Sequence, residues 1–220
     1  MKNKTLIIAA HPDDEILWCG WYISKYSKKE DIYVLIITDG SSSQYSDEKY
    51  INIKKKQSEK IKSISWIKEY IWWIFPDMKL DTIPHIELNK FIWNIINNIK
   101  PSKIFTHHWW DINMDHKKIF NSTIVCTRPN SFIKEILCYE VPSSTEWDSR
   151  DINFFNPNIY EKLNKSNIDN KIKLLECYNT EIREYPHPRS LKSMKVYASF
   201  RGIINNIEYA EAYFLYRKIK

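Results

Sequence analysis

The sequence predicts an α/β fold: a single Rossmann-like domain in three layers, with a mostly parallel sheet, helices on both faces and a C-terminal extension. Three observations carry this. Short apolar runs rich in Ile, Val and Leu recur between residues 6 and 141, separated by segments of helical length, the alternation that builds parallel βαβ units. The runs are apolar throughout, as strands covered on both faces must be. At 220 residues, 43% apolar and 27% charged, the chain has the size and balance of one globular domain. We expect one domain over 1–220, with a sheet core over 1–150 and an extension over 151–220 packed on it.

The elements follow in order. Leu6 to Ala10 reads as a buried strand and Glu15 to Tyr26 as a helix. Ile32 to Thr38 is a second strand, closed by the loop Asp39-Gly40-Ser41-Ser42-Ser43. Asp47 to Ile64 has a helical stripe at Ile53, Ile61 and Ile64. Tyr70 to Phe75 is a third strand, ended by Pro76-Asp77, and Pro84 to Ile99 is a helix with proline at its start. Ser102 to Thr106 is a fourth strand, His116 to Cys126 a helix, and Ile136 to Val141 a fifth strand. In the tail, Asn164 to Tyr178 and Leu191 to Phe200 read as helices around the rigid turn Pro186 to Ser190. Ala210 to Arg217 fits a strand or a final helix.

Several function classes recede on composition. The net charge of +6 comes from scattered lysines, and Lys54-Lys55-Lys56 is the densest run, so no nucleic-acid patch is expected. The mild basicity favours an anionic substrate. No apolar stretch of about 18 residues predicts a membrane span, and Met1 to Thr5 has no signal-peptide pattern, so a cytoplasmic protein is expected. The widely spaced cysteines (Cys19, Cys126, Cys138, Cys177) fit buried free thiols. A homo-oligomer remains open.

The chemistry concentrates at two strand ends. The first strand runs into His11-Pro12-Asp13-Asp14-Glu15, and the fourth into Thr106-His107-His108-Trp109-Trp110-Asp111-Ile112-Asn113-Met114-Asp115-His116. In open α/β sheets ligands bind at the carboxyl edge, where these ends can meet. Together they offer His11, Asp14 and His116 as three ligands with an open position, the donor set of a catalytic zinc. An adjacent carboxylate, Asp13, can stay off the metal and handle protons. The alternative for the first cluster is a helix cap. His107 and His108 could instead face solvent or cap the strand.

Ala10-His11-Pro12-Asp13-Asp14-Glu15, followed a hundred residues later by Asn113-Met114-Asp115-His116, resembles the LmbE-like, or PIG-L-type, N-acetylglucosaminyl deacetylases. Thr38-Asp39-Gly40, Phe75-Pro76-Asp77, Ser144-Thr145-Glu146-Trp147, Pro186 to Ser190, Arg201-Gly202 and Ala210-Glu211-Ala212 extend the likeness over nearly the whole chain. The resemblance implies one Zn2+ per chain held by His11, Asp14 and His116, Asp13 as general base, and removal of an N-acetyl group from a small-molecule amino-sugar conjugate: a nucleotide sugar, glycan precursor or glycolipid head group. An amide hydrolase on another N-acyl substrate, or a metal-binding relative without catalysis, are the alternatives. Asp39, His108, Asp111, Glu146 and Arg189 are candidate substrate contacts, although Arg189 could simply pair with Glu211.

The chain departs from the family pattern in three ways. Asn113 stands where many members have a histidine; asparagine can donate to an oxyanion but transfers no proton at neutral pH, leaving Asp13 itself, His187, His107 or His108 as the acid. Lys56 stands three residues before Glu59, where an arginine is common. With 3 glycines and 9 tryptophans, the chain places Trp18, Trp21, Trp66 and Trp110 where the family usually has glycine. Either a codon read as glycine in the source was translated as tryptophan, or the lineage filled these spaces with aromatics that could stack on a sugar. Trp110 is expected in a tight turn where a backbone needing φ > 0 prefers glycine, and Trp18, next to the metal-ligand motif, is expected to crowd the pocket.

Overall fold

A computed structural model describes residues 2–43, 49–129, 132–148 and 154–220. Within them, seven strands form one sheet and six helices cover it. The core alternation runs β1 (Lys4–Ala9), α1 (Asp14–Tyr26), β2 (Asp31–Thr38), α2 (Lys49–Ser65), β3 (Glu69–Phe75), α3 (His85–Ile99), β4 (Lys103–His107), α4 (Met114–Cys126) and β5 (Glu135–Tyr139). Then follow β6 (Ile159–Leu163), α5 (Lys165–Leu175), a single 3-10 turn over Glu176–Tyr178, α6 (Leu191–Ile203) and β7 (Tyr209–Lys218). The proposed start of the second helix at Asp47 lies outside the described residues.

The strand order is β3-β2-β1-β4-β5-β7-β6, and β1 to β5 are parallel. The chain steps outward from β1 to β2 and β3, then crosses back to β4 on the other side of β1. That reversal is a topological switch point, and the crevice beyond the carboxyl ends of β1 and β4 is where a ligand belongs. Alternate residues of each strand feed two cores. Ile7, Val34, Ile36, Phe105 and Leu137 pack with α1, α5 and α6, while Leu6, Ile8, Leu35, Ile37 and Ile104 pack with α3 and α4. This two-sided burial is why the strand sequences do not alternate.

Three local features go beyond the sequence reading. Ala210 to Arg217 is strand: β7 pairs antiparallel with both β5 and β6, so the described tail extends the sheet itself. Ile159–Leu163, unmarked in the sequence, is an edge strand with one fully buried residue, Leu163, and its weak apolar signal follows from that exposure. In α2 the buried face is Lys54, Ser58, Ile61 and Ser65, and Ile64 is half exposed.

The tryptophans also resolve by position. Trp66 directly follows α2 at φ 63°, a left-handed conformation that favours glycine at a helix C-terminus. Trp18 and Trp21 are buried in the helical layer, each with its indole N–H lacking a partner, and Trp18 does not line the cleft. Trp110 has no positive φ; its indole donates to the Asp148 carbonyl at 2.9 Å. The four cysteines are buried free thiols, and no helix among the described residues is long and apolar enough to cross a membrane.

Candidate active site

A cleft of about 580 Å³ of empty space opens at the switch point. Its floor is built by the loop from β1 into α1 and by the first turn of α4. His11, Asp13 and Asp14 come from the first, Asn113 and His116 from the second. Because α4 begins at Met114, two residues before the apolar stretch suggests, Asp115 and His116 both lie in its first turn. Asn113 is the N-cap, its side-chain oxygen accepting from the Asp115 backbone N–H at 2.8 Å.

Three donor atoms face one point. His11 Nδ1 lies 3.3 Å from Asp14 Oδ2 and 3.3 Å from His116 Nε2, and His116 Nε2 lies 3.5 Å from Asp14 Oδ2. Ligands about 2.0–2.1 Å from a tetrahedral zinc stand about 3.4 Å apart, so the triangle has the size that ion requires. The far nitrogen of each histidine is met by carboxylates. His11 Nε2 is 3.1 Å from Asp77 and 3.4 Å from Asp115, while His116 Nδ1 is 3.0 Å from Asp111. Such carboxylate–histidine pairs set the tautomer that leaves the metal-facing nitrogen unprotonated. Both Asp115 oxygens also accept backbone N–H groups, from Met78 at 2.8 Å and Leu80 at 3.0 Å. His11, Asp77 and Asp115 also lie close enough to hold an ion, but those backbone donors suit the group better to orienting His11.

Charges in this buried cluster respond to one another. Burial opposes ionisation of Asp14, but His116 and His11 outweigh it and hold the carboxyl well below its ordinary range. Burial likewise opposes a charge on His116, yet Asp111 and Asp14 lift it to about 9. Asp13 is pushed to about 7 by burial, then by Asp14 and Glu181, against the pull of Arg189 and Lys54. Burial and the neighbouring His116 hold His107 well below 6.5. Its Nε2 accepts from the Ala10 backbone N–H at 2.9 Å, and its ring stacks on His116 with centroids 4.0 Å apart. His107 is therefore a neutral support beneath the ligands, facing neither solvent nor substrate.

The remaining candidates separate clearly. Arg189 reaches the cleft: its Nη1 is 3.4 Å from Asp13 and 3.5 Å from Glu181, and its Nε donates to Ser143 at 3.0 Å. It does not meet Glu211, whose cationic neighbour is Lys171 at 3.5 Å. His187 does not line the cleft; its Nδ1 accepts the Arg189 backbone N–H at 3.1 Å. Asp39 is buried and accepts from the N–H groups of Ser41 and Ser42 at 2.8 and 2.7 Å. It thereby shapes the loop around Gly40, where a Cβ would lie 2.4 Å from Pro12 and φ is +60°. Asp111 is buried among Ser144, Thr145, Asn113 and His116. His108, buried, accepts from the Trp110 N–H at 3.1 Å, and Glu146 accepts from the N–H groups of Ser143 and Ser144. None of Asp39, His108, Asp111 or Glu146 lines the cleft.

Cleft groups that the sequence reading did not single out are Lys54, Asp77, Ser143 and Glu181. Lys54, paired with Glu181, takes the place assigned to Lys56, which is exposed. Its spacing from Ile61 was a usable signal, since residues seven apart share a helix face. Glu181 lies in a polar tail without periodicity and left no such signal.

Residues 6–127 match the family described as PIG-L, GlcNAc-PI de-N-acetylase. The chain belongs to this family. The uncharacterized deacetylase YaiS of Escherichia coli (strain K12) is 29% identical over 189 residues, covering 81% of this chain and 92% of that protein. Among solved structures, the N,N'-diacetylchitobiose deacetylase of Pyrococcus horikoshii superposes with a TM-score of 0.80 at 18% identity, over 98% of this chain and 84% of that one. GalB of Pseudomonas putida KT2440, a 4-carboxy-2-hydroxymuconate hydratase, gives 0.75 at 13% identity, over 100% and 98%. At such identities the likeness is one of fold, and a hydratase among the neighbours means that the reaction has to be argued from the site.

Proposed function

We propose that this member of the deacetylase family is a zinc-dependent N-deacetylase acting on an N-acetylated amino-sugar conjugate, such as a nucleotide sugar, glycan precursor or glycolipid head group. The observation that carries the reading is the triangle of His11 Nδ1, Asp14 Oδ2 and His116 Nε2, spaced for one tetrahedral ion, with the Asp13 carboxylate beside it in the cleft. A bound zinc would supply Lewis-acid polarisation of the amide carbonyl and acidify a water.

The chain's own groups account for the proton movements. Asp13 accepts the proton of the attacking water as the C–O bond forms. It returns that proton to the nitrogen as the C–N bond breaks, since an amide anion cannot depart. In the metal-free chain, burial, Asp14 and Glu181 push this carboxyl to about 7, so the protein around it favours holding a proton. Arg189 fixes the Asp13 carboxylate from the far side. Asn113 keeps its oxygen on the Asp115 N–H, so its Nδ2, 3.4 Å from Met78 Sδ, is the donor available to a developing oxyanion. Lys54, Asp77, Ser143 and Glu181 offer donors and acceptors for sugar hydroxyls.

Bound zinc is measured by elemental analysis for the wild type, His116→Ala and Asp13→Asn, alongside amine release from a panel of N-acetyl amino sugars. We expect one zinc in the wild type and its loss in His116→Ala. In Asp13→Asn zinc should stay while turnover falls by roughly 10²–10⁴-fold. Loss of zinc and turnover together in Asp13→Asn would make Asp13 structural and overturn its role as base.

A further inference from the structure

Asp13 carries a backbone conformation that L-residues rarely adopt, φ 141° and ψ −30°. Such a conformation is strained and persists only where its surroundings over-determine it. No side-chain cap hydrogen bond holds Asp13 at the start of α1. The constraint comes from the next carboxylate but one. Glu15 is 0% exposed, and its two oxygens are divided between two tasks. Oε2 accepts the Asp13 backbone N–H at 3.1 Å. Oε1 accepts the hydroxyls of Tyr178 at 2.8 Å and Tyr70 at 3.0 Å. Tyr178 is itself fully buried and 2.7 Å from the buried Ser58 hydroxyl of α2.

We propose that Glu15 is a positioning residue for Asp13: clamped by Tyr70 and Tyr178, it holds the Asp13 N–H inward and so keeps the Asp13 carboxylate in the cleft. The inference rests on Asp13 acting as the base. A purely structural buried acid would need its own partners, but it would not need to take the N–H of Asp13, the positive-φ residue of the loop from β1 into α1. The clamp draws on β3, the 3-10 turn after α5 and α2, so it ties the reacting carboxylate to the layer of helices behind it. Glutamine can replace it, with the amide oxygen accepting from Asp13 and the amide nitrogen donating to tyrosine hydroxyls that rotate to accept. Leucine has the volume but no acceptor, and leaves the Asp13 N–H and both hydroxyls unpaired.

Glu15→Leu, Glu15→Gln and the double variant Tyr70→Phe/Tyr178→Phe are compared with the wild type. The readouts are zinc content, kcat and KM for amine release from N-acetylglucosaminides, and hydrogen exchange of the Asp13 amide by NMR on protein carrying 15N-labelled aspartate. In Glu15→Leu we expect zinc retained, KM within about twofold, kcat lowered about 10²-fold and faster Asp13 amide exchange, the cost of a misplaced reacting group. Glu15→Gln should restore kcat to within about fivefold, and the tyrosine pair should fall between the two. A folded Glu15→Leu with wild-type kcat and wild-type Asp13 exchange overturns the proposal. If that variant does not fold, the tyrosine pair decides in the same way. A wild type that releases no amine from any probe sinks the deacetylase reading, while the amide exchange still decides the role of Glu15.

Discussion

Asp111→Asn is the sharpest test of how the site prepares its histidine ligand. Asp111 Oδ1 accepts the Asn113 backbone N–H at 2.8 Å and the Ser144 hydroxyl, while Oδ2 faces His116 Nδ1 at 3.0 Å and Thr145 Oγ1 at 2.7 Å. A backbone N–H can only donate, so the carbonyl oxygen of an asparagine must take the Oδ1 place and its NH2 must face His116 and Thr145. The Thr145 hydroxyl can rotate to accept. His116 can accept at Nδ1 only by moving its proton to Nε2, the atom needed by the metal. The variant also loses the charge that raises His116. Loss of such a carboxylate costs about 10–100-fold in metal affinity, or about 1.4–2.7 kcal/mol, and the tautomer conflict places this variant at the upper end. The assay is zinc competition against a chromophoric chelator at pH 7.5, with folding checked by circular dichroism. Zinc affinity within threefold of wild type would refute the tautomer argument.

Four other outcomes can be checked. The raised His116, at about 9 in the metal-free chain, stabilises that chain fully below its ordinary value of 6.5, and the contribution fades as pH climbs through about 9. Zinc must displace that proton, and although burial opposes it, Asp115, Asp14 and Asp77 also hold His11 well above its ordinary value, so zinc affinity should rise with at least one proton released per ion between pH 6.5 and 9, as titrations across that range will show. Trp66→Gly should stabilise the fold by about 1 kcal/mol in urea unfolding, because it relieves a left-handed residue whose side chain is 67% exposed. TGA codons at Trp18, Trp21 and Trp66 in the source gene would explain the glycine shortage, and TGG codons would exclude that explanation. Asn113→Ala should cost about 1 kcal/mol of stability through the lost cap of α4, measured by the same unfolding assay.

The parallel half of the fold was legible because each strand from β1 to β5 carries an apolar run closed by a polar turn, fully buried in the central strands and half-buried in β3 at the sheet edge. The meeting of the first and fourth strand ends was legible for the same reason, since each run ends in chemistry. The roles of Asp111 and Asp115 were not. Asp111 read as a substrate contact and Asp115 as part of the motif that ends in His116, and only the directions of the histidine nitrogens make one a holder for His116 and the other for His11. Lys54 was missed because the family pattern points to Lys56, while burial follows the phase of Ile61. β7 stayed ambiguous because Tyr209–Lys218 mixes apolar and polar residues at spacings that fit either period. Its antiparallel partners β5 and β6 decide it, and such partners cannot be read from the segment alone.

The placement of β7 between β5 and β6 has a consequence for synthesis and for engineering. The proposed ligands and Asp13 are all encoded before residue 117, yet β7, which flanks β5 on the side away from β4, is encoded after every other strand of the sheet. A nascent chain therefore carries every group of the proposed metal site while β5 still presents an open row of backbone donors and acceptors. Truncation at Ile207 would leave that row permanently exposed, so a shortened chain meant to isolate the metal centre would be prone to edge-to-edge aggregation.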